Sequence, residues 1–481
     1  MWLLVQAGGG ARRRCAGAAL RRRLARGWLV AAACTALACG GDPDVASDVL
    51  LITVDTLRPD HLGLYGYPRP TSPNLDRFFA ADRAAIFERA YSTAAHTSPS
   101  VVSILSGLYP HRHRVRLFFQ LLPEETRLLP ELLPGGFRSA GFVSNVVLTD
   151  EALGIAERFD HYDDFVDERE SQRAYYERGA RRTTDAALRW LRGRDAAERL
   201  FLWVHYIDPH GPYRPPADWR DRFDHAGRRE ILPAQISDYQ REPGVTDGLY
   251  YVDRYDEEIA YADEQIGRLL DAWAVARPLD GTLVVFTADH GESMMEHERW
   301  FTHGYHVYEE IIRVPLMLRG VGVLPGRRAQ AVSTIDLAPT VLRAVGAEVP
   351  PDMHGLDLRQ PPPATPDRLL LATGGGGGKG RTGWLAGIQG GRKGILGLDE
   401  HGRVRESRTY RLDQDPGELS PLPAPPDDAL VAHLIELAAA DPDPGGVPLA
   451  ARMGRELHAP KVAPGVSEEN RERLKALGYV D

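Results

Sequence analysis

Cysteine is nearly absent from this chain, because its three cysteines, at positions 15, 34 and 39, all fall within the first 39 of 481 residues. The rest of the chain therefore has no disulfide, no thiolate metal ligand and no cysteine nucleophile. No segment after residue 39 approaches the ~20 apolar residues of a membrane-spanning helix, and there is no internal repeat. The composition, 43% hydrophobic and 26% charged, suits a large folded domain with a smaller partner.

The chain also lacks an excess of positive charge. Its formal net charge is −9, although residues 1–38 contain seven arginines and no acidic residue. Without that leader the chain is more acidic still, and such a surface repels nucleic acid. We therefore expect no nucleic-acid partner, while the sequence is silent on oligomeric state.

Residues 1–38 have the pattern of a signal peptide. A basic stretch ends at Arg26, and the apolar run over 27–38 is too short to remain as a spanning helix. The run ends in Ala36-Leu37-Ala38-Cys39, which resembles a bacterial lipoprotein site, although Ala36 stands where leucine is usual. We expect an exported protein, periplasmic or on the outer surface, whose only membrane contact is a lipid on Cys39. The alternatives are ordinary cleavage or a start codon placed too early.

Short apolar runs alternate with helical patterns along the rest of the chain. Runs that are apolar on both faces, as buried parallel strands are, occupy residues 49–54, 200–204 and 282–287. Helical spacing of apolar residues covers 180–192, 255–274 and 336–345. The alternation predicts an α/β fold, with helices on both faces of a mostly parallel sheet.

The composition changes near residue 349, which predicts a division into domains. We expect the main domain over residues 48–349. A small antiparallel subdomain should follow over 365–420, where strand-like pieces are separated by glycine-rich turns, and a helical tail over 421–481.

Acidic and imidazole side chains follow the three apolar runs, where the strands should end. Asp55 follows the first run, His205 and His210 the second, and Asp289 and His290 the third. The carboxyl ends of parallel strands meet at one edge of an open α/β sheet, where ligands bind. Each residue alone is better explained as a helix cap or a core residue. Together they favour a site for a divalent cation.

A hydroxyl side chain stands where a further helix should begin. Thr97 is placed as the N-cap, Pro99 lies in the first turn, and the helix should run toward Gly107. A hydroxyl that touches both a metal and the positive end of a helix is stabilised as an alkoxide, and the free amides there hold an anion. The alternative is a plain helix cap.

Several motifs, in one order along the chain, resemble the sulfatase family of the alkaline phosphatase superfamily. They are Asp55-Thr56-Leu57-Arg58-Pro59-Asp60, Thr97-Ser98-Pro99-Ser100, Ser106-Gly107-Leu108-Tyr109-Pro110, Asp289-His290-Gly291-Glu292, Phe301-Thr302-His303-Gly304 and Asp413-Gln414-Asp415-Pro416-Gly417-Glu418. The resemblance spans roughly residues 48–420. It implies an alkaline-phosphatase-like α/β/α sandwich with a small C-terminal antiparallel subdomain.

The resemblance also implies a metal site and a nucleophile. Asp55, Asp289 and His290 match the family's metal ligands, and Thr97 matches the nucleophile, which itself touches the metal. The ion would be a divalent cation, Ca²⁺, Zn²⁺ or Mn²⁺, in a number that the sequence leaves open. The partner implied is an anionic ester.

Two histidines match positions near the transferred group. His303 falls where relatives have a lysine or histidine on the oxygens of that group, and His210 falls where a histidine can protonate the leaving group. A structural hydrogen-bonding role is the alternative for both. Other polar residues near these motifs are expected to be structural rather than catalytic: His205, Glu296 and His297.

Three departures from the family pattern bear on the chemistry. Sulfatases carry a cysteine or serine at the position of Thr97, which is oxidised to formylglycine under the direction of a following proline and arginine. Here Val101 replaces that arginine, and Thr56 replaces the second aspartate of the first motif. Oxidised threonine would be a ketone, so the formylglycine mechanism is closed to this chain. Relatives that use an unmodified threonine are phosphodiesterases, pyrophosphatases and lipid head-group phosphotransferases.

Two functions remain open from the sequence. The first is a metal-dependent hydrolase or transferase of sulfuric or phosphoric esters with Thr97 as nucleophile, for which threonine favours phosphorus, as in a phosphodiesterase. The second is a catalytically impaired protein that keeps the metal pocket and binds anionic glycans or lipid head groups. The organic part of the substrate is not defined by any motif.

Overall fold

The structure of the protein is a computed structural model. It describes residues 45–116, 118–166, 177–361, 368–375, 382–422, 428–440, 448–456 and 466–476. The predicted signal peptide and Cys39 lie outside the described residues. No helix in the described part has the length and apolar character needed to cross a membrane.

Two β-sheets are formed. The large one contains eight strands: β1 (Asp48–Val54), β2 (Ala85–Tyr91), β3 (Phe137–Phe142), β4 (His161–Asp163), β5 (Arg199–Tyr206), β6 (Thr282–Ala288), β7 (Arg313–Gly320) and β8 (Gly326–Ser333). The small one contains four: β9 (Leu370–Gly375), β10 (Gly383–Gln389), β11 (Arg392–Leu398) and β12 (Val404–Arg411).

The α-helices vary from one turn to eight. They are α1 (Pro73–Phe78), α2 (Thr97–Ser106), α3 (Pro110–His113), α4 (Leu129–Leu132), α5 (Asp150–Leu153), α6 (Ala180–Arg192), α7 (Gly248–Ala276), α8 (Glu309–Ile312), α9 (Leu337–Ala344), α10 (Ala429–Ala440), α11 (Leu449–Glu456) and α12 (Glu468–Ala476). Helices α1 and α6 pack against α7, whereas α2 and α4 pack against α9.

The large sheet is mostly parallel. Its strand order is β4-β3-β5-β1-β6-β7-β2-β8, and only β7 runs antiparallel to its neighbours within the described sheet. Strands β1 and β6 are buried along their whole length, as strands covered on both faces must be. The carboxyl ends of β1, β2, β3, β5 and β6 therefore meet at one edge of the sheet.

The small sheet is antiparallel throughout and has two covered faces. Alternate residues such as Ala372 and Ala386 pack on Tyr91 and Ile311 of the main body. The opposite face, including Leu371 and Leu385, packs under α10 and α11. The alternation follows the two-residue period of a strand.

The fold class expected from the sequence is confirmed. The runs predicted as strands coincide with β1, β5 and β6, and the helix predicted over 180–192 is α6. The helix expected over 255–274 is longer, Gly248–Ala276, because Asp247 caps its N-terminus by accepting a hydrogen bond from the Leu249 amide, 3.1 Å away. The domain boundaries stay predictions.

Leu434 tests how firmly the small sheet is covered by α10. A Cβ added to Gly387 would lie 2.4 Å from a methyl carbon of Leu434, and a Cβ added to Gly394 would lie 3.0 Å from the other. The helix therefore packs directly on glycine backbone. We expect Leu434→Ala to lower the free energy of unfolding by about 2–5 kcal/mol, measured by denaturant unfolding. Ile435→Ala, at a neighbouring exposed position, is the control and should cost less than about 1 kcal/mol. Equal costs would contradict this packing.

Candidate active site

Strand register brings the predicted carboxylates together. Val54, the last residue of β1, pairs with Tyr206 on one side and Ala288 on the other. The next residues, Asp55 and Asp289, therefore leave adjacent strands at the same level. Their backbones are fixed there, since the Asp55 amide donates to the Tyr206 carbonyl at 2.8 Å and the Asp289 amide to the Val54 carbonyl at 3.3 Å.

Asp55, Asp289 and His290 form a cluster whose ligand atoms lie within 4.8 Å of one another. His290 Nε2 is 3.8 Å from Asp55 Oδ1 and 3.6 Å from Asp289 Oδ2, which is too long for hydrogen bonds. Atoms that bind one ion at about 2.0–2.4 Å lie about 3–4 Å apart. The spacing is therefore that of ligands around a shared cation.

Two carboxylate oxygens of the cluster support this interpretation. Asp55 Oδ1 and Asp289 Oδ2 are buried and have no hydrogen-bond partner in the described structure. Burial, and for Asp55 the second negative charge of Asp289, raise the pKa of both carboxyls. An unpaired buried charge is costly, so a divalent cation at these oxygens fits the donor set.

His290 presents one nitrogen to the cluster. Its Nδ1–H donates to the Gly291 carbonyl at 2.9 Å, which leaves the Nε2 lone pair for the cluster. The backbone amide of His290 donates to Asp289 Oδ1 at 2.7 Å. The loop is held in turn by the Gly291 amide, which donates to the Ile311 carbonyl at 2.6 Å.

The Thr97 hydroxyl lies against this cluster. Its Oγ1 is 3.5 Å from Asp55 Oδ2 and 3.3 Å from His290 Nε2, and the side chain is fully buried. The expectation that Thr97 caps its helix is wrong by one residue, since His96 occupies the N-cap position. Thr97 thus lies in the first turn, with its hydroxyl turned to the cluster at the positive end of α2.

Asn145 is a site residue that the sequence analysis missed. Its amide Nδ2 donates to Asp55 Oδ2 at 2.7 Å, and its Oδ1 accepts from the Val147 amide at 3.1 Å. Asn145 follows β3, so a fourth parallel strand end contributes to the site. Strand β3 is short and includes Gly141 and polar residues, which hid it from a search for apolar runs.

Thr56, at the position where the family that the motifs resemble has a second aspartate, has a strained backbone. Its φ of 53° lies in the left-handed region, which is costly for a β-branched residue. Tyr255 donates to its carbonyl at 2.7 Å, and its own amide donates to Asp289 Oδ1 at 3.2 Å. Its buried hydroxyl has no hydrogen-bond partner among the described residues. Thr56 thus orients Asp289 through its backbone.

His303 and His210 lie together beside the cluster. The His303 ring is centred 4.6 Å from that of His290 and 5.0 Å from that of His210. Glu292 Oε1 lies 3.0 Å from His303 Nδ1 and holds that ring in place. Glu292 Oε2 accepts a hydrogen bond from the Tyr213 hydroxyl at 3.0 Å. Burial raises the pKa of Glu292 to about 7.

The protonation of His210 is set by its surroundings. Its Nδ1–H donates to the Gly211 carbonyl at 2.6 Å, so Nε2 carries no proton in the neutral ring. Burial, and then the nearby His303, lower the pKa of His210 to about 3. His210 must therefore gain a proton, favoured by an incoming anion, before it can donate one to a leaving group.

The three residues that were expected to be structural, His205, Glu296 and His297, lie in two different places. His205 lies at the end of β5, fully buried, and burial followed by the nearby His290 and His210 lowers its pKa to about 3. Glu296 pairs with Arg58 at 2.9 Å, and His297 pairs with Glu310 at 3.0 Å. These two contacts hold the loop after β6 rather than the cluster.

Comparison with known proteins agrees with the geometry. Residues 47–347, more than half of the chain, match the family model named Sulfatase. The chain belongs to the sulfatase family. Its membership of this family makes it a sulfatase-like ester hydrolase.

Proteins named as sulfatases are similar over much of the chain. The arylsulfatase of Clostridium perfringens is 24% identical over 378 residues, which cover 65% of this chain and 77% of that protein. The iduronate 2-sulfatase of Mus musculus is 26% identical over 380 residues, covering 64% of this chain and 65% of that protein.

Solved structures share the fold. A protein solved with its substrate, D-glucosamine-2-N,6-O-disulfate, superposes with a TM-score of 0.65 at 20% identity, over 81% of this chain and 97% of its own. The phosphonate monoester hydrolase of Silicibacter pomeroyi superposes with a TM-score of 0.64 at 21% identity, over 81% of this chain and 93% of its own.

Asp289→Asn should separate the electrostatics of the cluster from its packing. In chelated protein we expect this variant to raise the melting temperature, because it removes a buried charge and its amide can donate to Asp55. It should also abolish the rise in melting temperature that a divalent cation produces in the native protein. That rise corresponds to about 2.7 kcal/mol at a hundredfold excess over the dissociation constant.

Asp271→Asn is the matched control for this experiment, because its carboxylate is 61% exposed on α7 and pairs with Arg77. It should change neither the melting temperature of the chelated protein nor that of the cation-loaded protein. A cation site at the cluster is contradicted if Asp289→Asn destabilises the chelated protein and retains the full response to cations.

Proposed function

We propose that this protein hydrolyses esters of sulfuric or phosphoric acid, or transfers their acid group to an alcohol, with unmodified Thr97 as the nucleophile. The observation that carries the proposal is the buried Thr97 hydroxyl, 3.5 Å from Asp55 and 3.3 Å from His290 at the start of α2. A threonine with a merely structural role would be expected to cap the helix or bond to backbone.

The covalent step is a substitution at the central phosphorus or sulfur. The Thr97 hydroxyl loses its proton, its Oγ1 forms a bond to that atom, and the bond from that atom to the alcohol oxygen breaks. The departing alkoxide takes up a proton. Water or a second alcohol then attacks the same atom, and the bond from that atom to Oγ1 breaks. The attacking group loses a proton and Thr97 regains one, so the cycle needs no oxidant or reductant.

Asp55, Asp289 and His290, with Thr97 itself, would hold the divalent cation. When bound, that cation supplies positive charge that favours the ionised hydroxyl and the anionic substrate. The ends of the strands fix the two carboxylates, and Asn145 keeps the Asp55 oxygen oriented through its 2.7 Å hydrogen bond.

His303 and His210 are placed for the other two tasks. Glu292 fixes the ring of His303 at Nδ1, which orients the imidazole for contact with the oxygens of the transferred group. The Gly211 carbonyl fixes His210 at Nδ1, so a proton gained at Nε2 can pass to the leaving oxygen.

Two observations favour different acid groups. Sulfatase-family membership and relatives named arylsulfatase favour sulfate esters. The unmodified threonine favours phosphoryl transfer, because the intermediate must be cleaved by a second attack at the central atom rather than by collapse of a hydrated aldehyde. A phosphonate monoester hydrolase has the same fold, and we place phosphoric esters first.

A second candidate function is a metal-containing binding protein for anionic glycans or lipid head groups. The replacements at Thr97, Val101 and Thr56 favour it, because each removes a family feature. Against it, Asp55, Asp289, His290, His210 and His303 are retained, and a binding protein needs no nucleophile beside its cation.

Export is a separate part of the proposal. The basic and apolar leader supports secretion to the periplasm or outer surface, with Cys39 as the lipid attachment site. Mass analysis of the mature N-terminus from a bacterial host tests it. A chain that starts at an acylated Cys39 agrees, and an unprocessed leader contradicts it.

Replacement of Thr97 tests the nucleophile. We expect Thr97→Ala to lower kcat on aryl phosphate monoesters, diesters or sulfates by about a thousandfold or more, because the covalent route is lost. Thr97→Ser keeps the hydroxyl and should retain much of the activity. Rapid quenching of the native enzyme should give a phosphorylated or sulfated Thr97 by peptide mass analysis. Undiminished turnover by Thr97→Ala would overturn the proposal, and tight binding without any adduct would favour the binding protein.

His210→Asn tests the proton donor. If His210 protonates the leaving oxygen, its loss should cost about 10²–10⁴ in rate on esters of poor leaving groups, such as methyl esters. The cost should be much smaller on 4-nitrophenyl esters, whose leaving group needs no proton. Comparing kcat for the two ester classes checks this. An equal loss on both would assign His210 to binding or structure.

A further inference from the structure

A cavity opens where the small sheet meets the start of α2. It is open to solvent, has about 500 Å³ of empty space when that open solvent is included, and is lined by His96, Pro99, His111 and Arg116 on the side of the main body. Backbone of Gly374 and Gly375 at the end of β9 lines the opposite side.

One lining residue of this cavity is the chain neighbour of the proposed nucleophile. His96 directly precedes Thr97, and its ring lies against Gly304, where a Cβ would come within 2.6 Å of Nε2. Gly304 in turn follows His303. One residue that lines the cavity, His96, is therefore the chain neighbour of the residue proposed to attack, and its ring contacts the chain neighbour of the residue proposed to hold the transferred group.

The small sheet fixes the cavity in this position. The Thr373 amide donates to the Thr93 carbonyl at 2.9 Å, and the Ala95 amide donates to the Thr373 carbonyl at 2.9 Å. The Gly375 amide donates to the Gly304 carbonyl at 2.8 Å. Strand β9 is thus joined by backbone hydrogen bonds to the segments that precede Thr97 and follow His303.

The ionisable side chains among the described lining residues are all basic. The lining contains one arginine and two histidines, and no acidic side chain among the described lining residues. Arg116 is anchored by its Nε, which donates to the Pro110 carbonyl at 3.3 Å. A guanidinium held in this way is suited to a carboxylate, sulfate or phosphate group.

We propose that this cavity receives a second anionic group, carried by the alcohol part of the ester whose acid group lies at Thr97. The inference rests on the proposed function for the location of the first group. The substrates would then carry two negative groups. Arg116 and His111 would select among substrates and take no part in the catalytic step.

Binding of non-hydrolysable probes tests this subsite without relying on turnover. The probes are phosphonoalkanoates with two-, three- and four-carbon chains, each compared with the alkylphosphonate of equal length, on the cation-loaded native protein by calorimetry. Their phosphonate group suits the cation site, and the chain length varies the distance to the carboxylate. We expect at least one phosphonoalkanoate to bind about tenfold more tightly than its alkyl match, the lower end for a charge-assisted hydrogen bond.

Variants assign this preference to the cavity. Arg116→Gln and His111→Gln should each reduce the preference severalfold, whereas Arg116→Lys should keep part of it. Arg112→Gln removes an arginine charge from an exposed position on α3, next to His111, and should leave the preference intact. Melting temperatures show whether each variant is folded.

The outcomes separate the subsite from the proposed function. The subsite is overturned if no phosphonoalkanoate is preferred, or if Arg112→Gln reduces the preference as much as Arg116→Gln. Should the preference be present and depend on Arg116 while no ester is turned over, the subsite stands and the proposed hydrolysis fails.

Discussion

The convergence of two buried carboxylates, Asp55 and Asp289, is the constraint on which the rest of the site depends. Parallel pairing of β1 with β6 ends both strands at one level, so the two acids leave the sheet as neighbours. Both are fully buried, and each keeps an oxygen without a partner. A folded chain tolerates such a pair only if protons or a cation compensate it.

The surrounding residues follow from this constraint. His290 turns a nitrogen lone pair to the pair of acids because the Gly291 carbonyl holds its other nitrogen, and Asn145 supplies an amide donor to Asp55. The Thr97 hydroxyl completes the group at the positive end of a helix. The small sheet contributes at a distance, since β9 is hydrogen-bonded to the segment that carries Thr97. Its role is therefore to fix the nucleophile as well as to cover one face of the main body.

Much of this arrangement could be predicted from the sequence, because buried parallel strands are apolar on both faces and the acids stand directly after them. Asp55, Asp289 and His290 were predictable in this way, and the structure brings them together with Thr97. The helix start was misjudged by one residue, since a hydroxyl near a helix terminus has the same sequence pattern whether it caps or not. Asn145 was not predictable, because β3 has no apolar run to mark where it ends. The tautomer of His210 and the strain at Thr56 depend on backbone geometry that no spacing of residues encodes.

The most direct test of the account is a crystal structure of the protein loaded with Mn²⁺ or Zn²⁺ and measured at that metal's absorption edge. We expect one anomalous peak about 2.0–2.4 Å from oxygens of Asp55 and Asp289, from His290 Nε2 and from Thr97 Oγ1. A peak bound elsewhere, or a Thr97 hydroxyl turned away to a backbone carbonyl while the cation is bound, would contradict it.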